Sequence, residues 1–148
     1  MAGTEKSLKA RAVDLLSRRE YSRLELKRRL APFADSEAEI DALLDELAAK
    51  HWQSDSRFAE QFASSRGHKY GSRRLAQEMR ERGIDRDTIQ SALAQQDDLA
   101  TARAVWQRKF GRPPADQQER LKQMRFLASR GFGMDIIQRV LRGEPDDE

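Results

Sequence analysis

The sequence predicts an all-α fold built as a tandem array of three three-helix repeats, elongated and slightly curved. The first observation is a fragment whose main positions lie four, ten and four residues apart and that returns after shifts of 49 and 48 residues. The copies are Leu26, Leu30, Ile40 and Leu44; Leu75, Met79, Ile89 and Leu93; and Gln123, Leu127, Ile137 and Leu141. The second observation is that no segment shows the period-two alternation of a half-buried strand. Self-similarity at this period is typical of a stacked array.

The first repeat, predicted to span residues 1–52, contains three helical patterns. An apolar stripe of helical period runs through residues 8–18. Ser22 and Glu25 have the spacing of a capping box and open the second helix, which Pro32 ends. Serine and carboxylates then open the third helix at the positive end of its dipole. The predicted buried face of that helix is Ile40, Leu43, Leu44 and Leu47.

The second repeat, residues 53–96, follows the same order. Asp55 is expected to cap its first helix, and Gly71 precedes the second. Gly83 supplies the left-handed residue that ends this second helix. Asp85 then caps the third. The second repeat thus contains three predicted helices, as the first does.

The third repeat, residues 97–143, contains the strongest helix breaker of the chain at 111–114. Its first helix begins near Asp98, and Gly131 ends its second. An acidic tail follows at 144–148. The predicted apolar face of the second helix is Leu121, Met124 and Leu127.

The aromatic residues are predicted to pack in the core and not to bind a ligand. The repeat register pairs Tyr21 with Tyr70, Phe58 with Trp106, and Phe62 with Phe110. Trp52, which follows the last helix of the first repeat, is expected to seal the junction with the second.

Composition and motifs argue against an enzyme. There is no cysteine, so disulfides and thiolate metal sites are excluded. The phosphate-binding, dinucleotide-binding and zinc-protease motifs are absent, and the two histidines, His51 and His68, are isolated. The acidic cluster on the third helix is predicted to be a solvated face. We therefore expect no active site, no metal and no cofactor. With no apolar stretch of about 18 residues and no secretory signal in the first eight residues, we expect a cytoplasmic protein without a membrane contact.

Charge is unevenly distributed along the chain. The net charge is +5 over residues 1–34 (nine basic, four acidic), −6 over 35–60 (two basic, eight acidic), and +3 over 61–96 (seven basic, four acidic). The basic excess therefore lies on particular helices and suits a polyanion or an acidic protein face. A solvated basic surface without a partner is the alternative.

Three segments together resemble the RecX family of recombination regulators. They are RREYSRLEL at 18–26; DSRFA at 55–59 with GSRRLAQEM at 71–79 and RGI at 82–84; and FLASRGF at 126–132 with the apolar pairs at 136–137 and 140–141. The resemblance covers residues 8–143 in order and spacing. One departure is Lys50-His51-Trp52, which stands where the family commonly has a glycine-containing turn.

The resemblance implies a small bacterial protein that binds the RecA recombinase, notably the RecA–DNA filament, and restrains filament growth, ATP hydrolysis and strand exchange. It also implies weak binding of DNA by some members. The competing hypothesis is a direct DNA-binding regulator, either sequence-nonspecific or docking one helix of a three-helix unit in the major groove. A purely structural scaffold is a third alternative, which leaves the charge asymmetry unexplained.

We expect a monomer whose basic side chains contact the partner or DNA. The candidates are Arg18, Arg19, Arg23, Lys27, Arg28, Arg66, Lys69, Arg73, Arg74 and Arg130. Any DNA binding is expected to be electrostatic and carried mainly by the first two repeats.

Overall fold

The computed structural model describes residues 6–144, and within this range it contains nine α-helices, one 3-10 helix and no strand. The helices are α1 (Leu8–Leu16), α2 (Arg23–Leu30), α3 (Glu37–Ala49), α4 (Asp55–Arg66), α5 (Ser72–Glu81), α6 (Arg86–Leu93), α7 (Asp98–Lys109), α8 (Gln117–Ser129) and α9 (Met134–Leu141), with the 3-10 turn at Ala31–Phe33. The all-α prediction is confirmed. Most of the predicted acidic tail and the first five residues lie outside the described range.

Each repeat of three helices has its own hydrophobic core. The extensive helix–helix contacts all join helices of the same repeat, such as α4 with α6 and α7 with α9. The fully buried anchors of the three cores are Leu26, Leu44 and Leu47; Leu75 and Met79; and Leu127 and Ile137. The four–ten–four register is therefore the register of core positions on the second and third helices of every repeat.

Gln123 occupies the core position held by Leu26 and Leu75 in the other repeats, and it is 1% exposed. Its amide oxygen accepts a hydrogen bond from the Trp106 indole at 2.8 Å, and its amide nitrogen donates to the Arg112 carbonyl at 3.1 Å. A buried amide is tolerated because its polar atoms are hydrogen-bonded. The polar residue in the third copy thus holds the long α7–α8 linker against the core.

The first helices follow a different register from the one predicted. α4 begins at Asp55 and α7 at Asp98, so they are 98 − 55 = 43 residues apart and not 48. Ala59 and Ala102, both 0% exposed, occupy matching places under this shift. The five extra residues lie downstream, since α7 and α8 end 129 − 109 = 20 residues apart and α4 and α5 only 81 − 66 = 15. The predicted pairing of Phe58 with Trp106 and of Phe62 with Phe110 is therefore wrong.

The predicted capping signals are confirmed with one exception. Ser22 and Glu25 form the reciprocal capping box of α2, and Asp85 caps α6. Ser54, and not Asp55, caps α4, because the Ser54 side chain accepts from the Arg57 amide.

Leu121, predicted to be buried, is 39% exposed. No helix within residues 6–144 is long and apolar enough to cross a membrane.

Candidate partner and nucleic-acid interface

Both junctions between repeats use a glutamine that stands two residues before the first helix of the next repeat. The Gln53 amide donates to the Tyr21 carbonyl at 3.3 Å, and the Gln96 amide donates to the Tyr70 carbonyl at 3.2 Å. Gln53 is 4% exposed, whereas its neighbour Trp52 is 47% exposed. The prediction that Trp52 seals the first junction is wrong. The indole lies outside, with the Lys50 ammonium 4.9 Å from its ring centre, because Gln53 occupies the junction.

An aspartate two residues after each glutamine forms a second contact at each junction. The Asp55 carboxylate accepts the Arg23 backbone N–H at 2.8 Å, and Asp98 accepts the Ser72 backbone N–H at 3.1 Å. Each aspartate begins its own helix and also binds the first free N–H of α2 or α5. Burial raises the pKa of Asp98 above its usual range, although the Ser72 hydrogen bonds oppose that shift. The two junctions therefore use the same pair of hydrogen bonds, one from a glutamine and one to an aspartate.

At the second junction, between repeats two and three, the backbones of the two repeats also form hydrogen bonds with each other, in addition to the glutamine and aspartate contacts. The Gly71 N–H donates to the Arg130 carbonyl at 2.8 Å, and the Arg73 N–H donates to the Gly131 carbonyl at 3.2 Å. Gly131 has φ +96°, and a Cβ there would meet the Arg74 backbone nitrogen at 2.7 Å. The start of α5 and the end of α8 thus contact each other through their backbones.

The basic side chains predicted on α2 are paired with the acidic face of α3. The Arg23 guanidinium lies 2.9 Å from Asp45, and the Lys27 ammonium lies 2.7 Å from Glu37 and 3.1 Å from Asp41. Hydrogen bonds to these two carboxylates raise the pKa of Lys27. The acidic cluster is therefore partly an ion-pair partner of α2 and not only a solvated face. The charge of +5 in the first segment is largely offset by the −6 that follows it.

The other basic candidates of the first repeat differ in how they are held. The Arg18 guanidinium lies 3.5 Å from Asp14 and is 69% exposed. Arg19 lies 3.3 Å from Glu25 and 3.6 Å from the centre of the Tyr21 ring. Arg28 is exposed.

The first junction groove lies between repeats one and two and contains both signs of charge. Its charged lining consists of Arg19, Glu20, Glu25, Arg66 and Arg82. Glu25 lies 3.8 Å from Arg82, and Glu20 lies 3.0 Å from Arg57. These cations are therefore compensated inside the protein.

The second junction groove lies at the matching place between repeats two and three, and no carboxylate lines it. It is lined by Lys69, Tyr70, Arg108, Lys109, Phe126 and Arg130, together with His68 and Val105. None of its lysines and arginines has a carboxylate within 4.0 Å among residues 6–144. The Arg130 guanidinium lies 5.0 Å from the Phe126 ring centre and 5.6 Å from that of Tyr70. The groove thus combines four uncompensated cations with two rings.

The repeat register explains why the two grooves differ. Glu20 of the first groove corresponds to Lys69 of the second, and Glu25 corresponds to Arg74, since both pairs are 49 residues apart. The Arg74 guanidinium lies 4.0 Å over the Tyr70 ring, at the edge of the second groove. Two positions that carry carboxylates at the first groove therefore carry cations at the second.

The structure brings three of the predicted basic residues, Lys69, Arg74 and Arg130, together around Tyr70. Arg66 and Arg74 lie 4.0 Å and 3.6 Å from Glu78. The Glu78 carboxylate therefore partly compensates the charge of both arginines. The exposed Arg73 lies on the other side of α5, in a separate groove with α6.

Sequence reasoning missed Arg108 and Lys109. They stand in the last turn of α7, where basic residues are favoured by the helix dipole, so their position has an ordinary local explanation. Only the packing of α7 against the α8 terminus places them beside Arg130. The consecutive pair of cations before Phe110 was the available signal.

Uncompensated cations beside aromatic rings suit the backbone of a nucleic acid or an acidic protein segment. Lysine and arginine contact phosphates, and rings stack on unpaired bases. No group of three or more histidine, aspartate or glutamate side chains within residues 6–144 is placed to hold a metal ion.

Comparison with known sequences identifies relatives over the whole chain. Models described as the second and third three-helix domains of RecX match residues 54–93 and 96–141. Regulatory protein RecX of Chromobacterium violaceum is 68% identical over 148 residues, covering 100% of this chain and 97% of the relative. Regulatory protein RecX of Neisseria meningitidis serogroup B is 47% identical over 144 residues, covering 97% of this chain and 94% of the relative.

A solved structure shares the fold. The crystal structure of RecX from Lactobacillus salivarius matches with a TM-score of 0.79 and 19% identity, covering 92% of this chain and 93% of the other. The domain matches and the relative of 68% identity show that the chain belongs to the RecX family of regulatory proteins.

Proposed function

We propose that the protein binds the RecA recombinase or its nucleoprotein filament and mainly inhibits filament growth, ATP hydrolysis and strand exchange. The name of its relatives, regulatory protein RecX, supports a regulatory role. The single observation that carries the proposal is the second junction groove, whose four cations have no carboxylate partner among residues 6–144. Such a groove suits a protein that lies against a filament containing DNA.

The proposed mechanism is occupation of the filament groove. Each repeat offers a small face, so useful affinity comes from linked contacts that raise one another's effective concentration. A bound array then blocks the addition of subunits or the conformational cycle that accompanies ATP hydrolysis. We propose that it acts as a monomer in the cytoplasm, without catalysis and without a cofactor.

Direct, sequence-blind DNA binding is a second candidate, favoured by the rings of Tyr70 and Phe126 beside the cations. Contacts to about four phosphates of a single strand would give a log–log salt slope of about −3. Insertion of a third helix into the major groove is disfavoured for the first repeat. There the exposed side of α3 carries Glu37, Asp41 and Asp45, which phosphates would repel.

The test adds purified protein to preformed RecA filaments on single-stranded DNA and follows ATP hydrolysis and filament length. The double variant Arg108→Gln/Lys109→Gln removes two uncompensated charges from the second junction groove. We expect it to inhibit RecA at least several-fold less than the unmodified chain at equal concentration, because lost ionic contacts weaken binding. Arg57→Gln/Arg82→Gln is the control, because it removes the same charge from two arginines that are paired with Glu20 and Glu25 at the first junction.

The proposal fails if the unmodified protein, in molar excess, leaves RecA hydrolysis and filament length unchanged. If inhibition occurs but both double variants retain it equally, the second junction groove is not the contact. If the unmodified protein inhibits RecA but does not bind naked DNA, the result supports RecA binding over direct DNA binding.

A further inference from the structure

A separate groove on the second repeat lies between α5 and α6. We call it the arginine-rimmed groove. Its apolar floor is formed by Ala76, Ile89 and Leu93, and its rim by Arg73, Arg80 and Arg86. Ile89 is buried, whereas Ala76 and Leu93 are only partly covered, and the three arginines are exposed. The second junction groove shares none of these residues.

Comparison with the other repeats shows why this groove is open. Ala76 corresponds to Lys27 in the first repeat (76 − 27 = 49) and to Met124 in the third (124 − 76 = 48). The Lys27 side chain reaches across to α3, where it meets Glu37 at 2.7 Å, and Met124 packs against the third core. In the second repeat a single methyl group replaces these long side chains. The helices are joined as in the other repeats, but the space between them is unfilled.

The rim is positively charged and uncompensated. Arg73 and Arg86 have no carboxylate within 4.0 Å among residues 6–144. Arg80 donates to the neutral Gln77 amide oxygen at 2.9 Å. The matching rim positions are Leu24, Ala31 and Glu37 in the first repeat, 49 residues earlier, and Leu121, Ala128 and Met134 in the third, 48 residues later. Among the three repeats, the second alone carries three arginines at these positions.

We propose that the arginine-rimmed groove docks an acidic amphipathic helix of a partner protein. Apolar side chains spaced three and four residues apart would cover Ala76 and Leu93, and carboxylates along the flanks would pair with the three arginines. α5 and α6 have 10 and 8 residues, so they offer about two to three turns of contact. The inference goes beyond the proposed RecA function and does not depend on the identity of the partner.

A protein segment fits this groove better than a nucleic acid does. The lining contains no aromatic ring on which an unpaired base could stack, and the floor is aliphatic. The second junction groove has the opposite character, because it places two rings among its cations.

The experiment measures fluorescence anisotropy of a labelled 15-residue synthetic helix titrated with the intact chain. The probe carries leucines at every third and fourth position and glutamates on both flanks, and a matched probe carries lysines in place of the glutamates. Ala76→Met fills the groove with the side chain that the third repeat already carries, so the fold is expected to tolerate it. Ser91→Met adds the same side chain at an exposed position of α6 outside the groove and is the control.

We expect the glutamate probe to bind the unmodified chain at least tenfold more tightly than the lysine probe does. Ala76→Met should weaken that binding at least tenfold, and Ser91→Met should leave it unchanged. Arg80→Gln/Arg86→Gln tests the rim without altering the floor, and it should weaken binding and reduce its salt dependence. Circular dichroism verifies the fold of each variant.

The proposal is overturned if the two probes bind equally, if Ala76→Met binds the glutamate probe as the unmodified chain does, or if a 15-residue oligothymidylate displaces the probe at 150 mM salt. The last result would assign the groove to nucleic acid. RecA inhibition by Ala76→Met is measured in parallel. A chain that binds the probe but does not inhibit RecA would contradict the proposed function and leave the docking site in place.

Discussion

The two junctions between repeats share a frame and differ in charge. At each, a glutamine donates to the carbonyl of a tyrosine, and an aspartate accepts the first N–H of the preceding repeat's second helix. At the first junction Arg82 lies 3.8 Å from Glu25. At the second the corresponding Arg130 has no carboxylate within 4.0 Å among residues 6–144. Both arginines lie near a ring, Arg82 at 4.9 Å from the centre of Phe62 and Arg130 at 5.0 Å from that of Phe126, so the carboxylate is the difference.

The difference separates the residues that build the array from those available to a partner. Hydrogen bonds that recur at both junctions have a structural role, since an array needs each unit to be held against the next. Charges that differ between the junctions are free of that constraint. Counting lysines and arginines along the chain cannot distinguish these two groups, because Arg23 and Lys27 contribute to the basic excess and yet are paired with α3.

Removing one terminal repeat should give the largest effect. A fragment of residues 1–96 loses α7, α8 and α9 and the bonds from Gly71 and Arg73 to the third repeat. We therefore expect a less stable, partly helical fragment with little inhibition of RecA. A fragment of residues 53–148 keeps the second junction groove and should retain more of both. Circular dichroism and RecA hydrolysis at equal concentration measure them. Inhibition by residues 1–96 equal to that of the whole chain would eliminate the distributed-groove mechanism.

Glycine substitution at the two junctions should differ next. Gly83 and Gly131 both follow a helix with positive φ, so alanine costs each about 1–2 kcal/mol for the left-handed conformation. A Cβ at Gly83 would meet the Leu24 Cβ at 2.8 Å, whereas one at Gly131 would meet the Arg74 Cβ more closely still and its backbone nitrogen at 2.7 Å. We expect overpacking to add about 1–3 kcal/mol for Gly131→Ala and less for Gly83→Ala, because the contact at Gly131 is closer and involves backbone atoms. Urea unfolding measures both, and equal losses would refute the closer approach at the second junction.

The two tyrosines should separate stability from binding. Tyr21 is 5% exposed, so Tyr21→Ala should cost about 2–4 kcal/mol, as large-to-small core changes do. Tyr70 is half-buried and borders the second groove, so Tyr70→Ala should cost about 1–2 kcal/mol and also weaken binding. Thermal unfolding and oligothymidylate binding are measured on both variants. A stable Tyr21→Ala variant that has lost binding would assign Tyr21 to the functional surface.

His51 should give the smallest change, and a favourable one. It follows α3 with φ +62°, and the next N–H, that of Trp52, returns to the Leu47 carbonyl at 3.0 Å, as in a glycine-terminated helix. His51→Gly should therefore raise the free energy of unfolding by about 0.5–1 kcal/mol, because glycine removes the left-handed penalty. His68→Gly is the control, because His68 follows α4 without a positive φ. A loss of stability on His51→Gly would mean that the imidazole contributes more than its backbone strain costs.

Periodicity predicted much of the fold and little of the site. The positions of Leu30, Met79 and Leu127 recur because each repeat buries the same face, and a fixed spacing records that burial. Gln123 departed from the pattern for a reason that only packing supplies, its bond to Trp106. The first-helix register was mispredicted because the extra residues of the third repeat follow α7 and do not precede it.

The candidate site depended on pairings that a linear sequence does not record. Lys27 and Arg130 are both basic, but one lies 2.7 Å from Glu37 and the other lies between rings. Arg108 joins the site only through the approach of α7 to the end of α8. Charge composition therefore predicted the type of partner, and the tertiary structure decided which cations are available to it.

The most direct test compares Arg82→Gln with Arg130→Gln, which remove the same charge from matching positions of the two junctions. Each variant is titrated with a single-stranded oligothymidylate at several salt concentrations. Because Arg82 is already compensated by Glu25, its loss should leave the slope of log affinity against log salt unchanged. Loss of Arg130 should make the slope shallower by about 0.7, the value for one phosphate contact on a single strand. Equal changes in both variants, or a change in Arg82→Gln alone, would contradict the division of the cations between the two junctions.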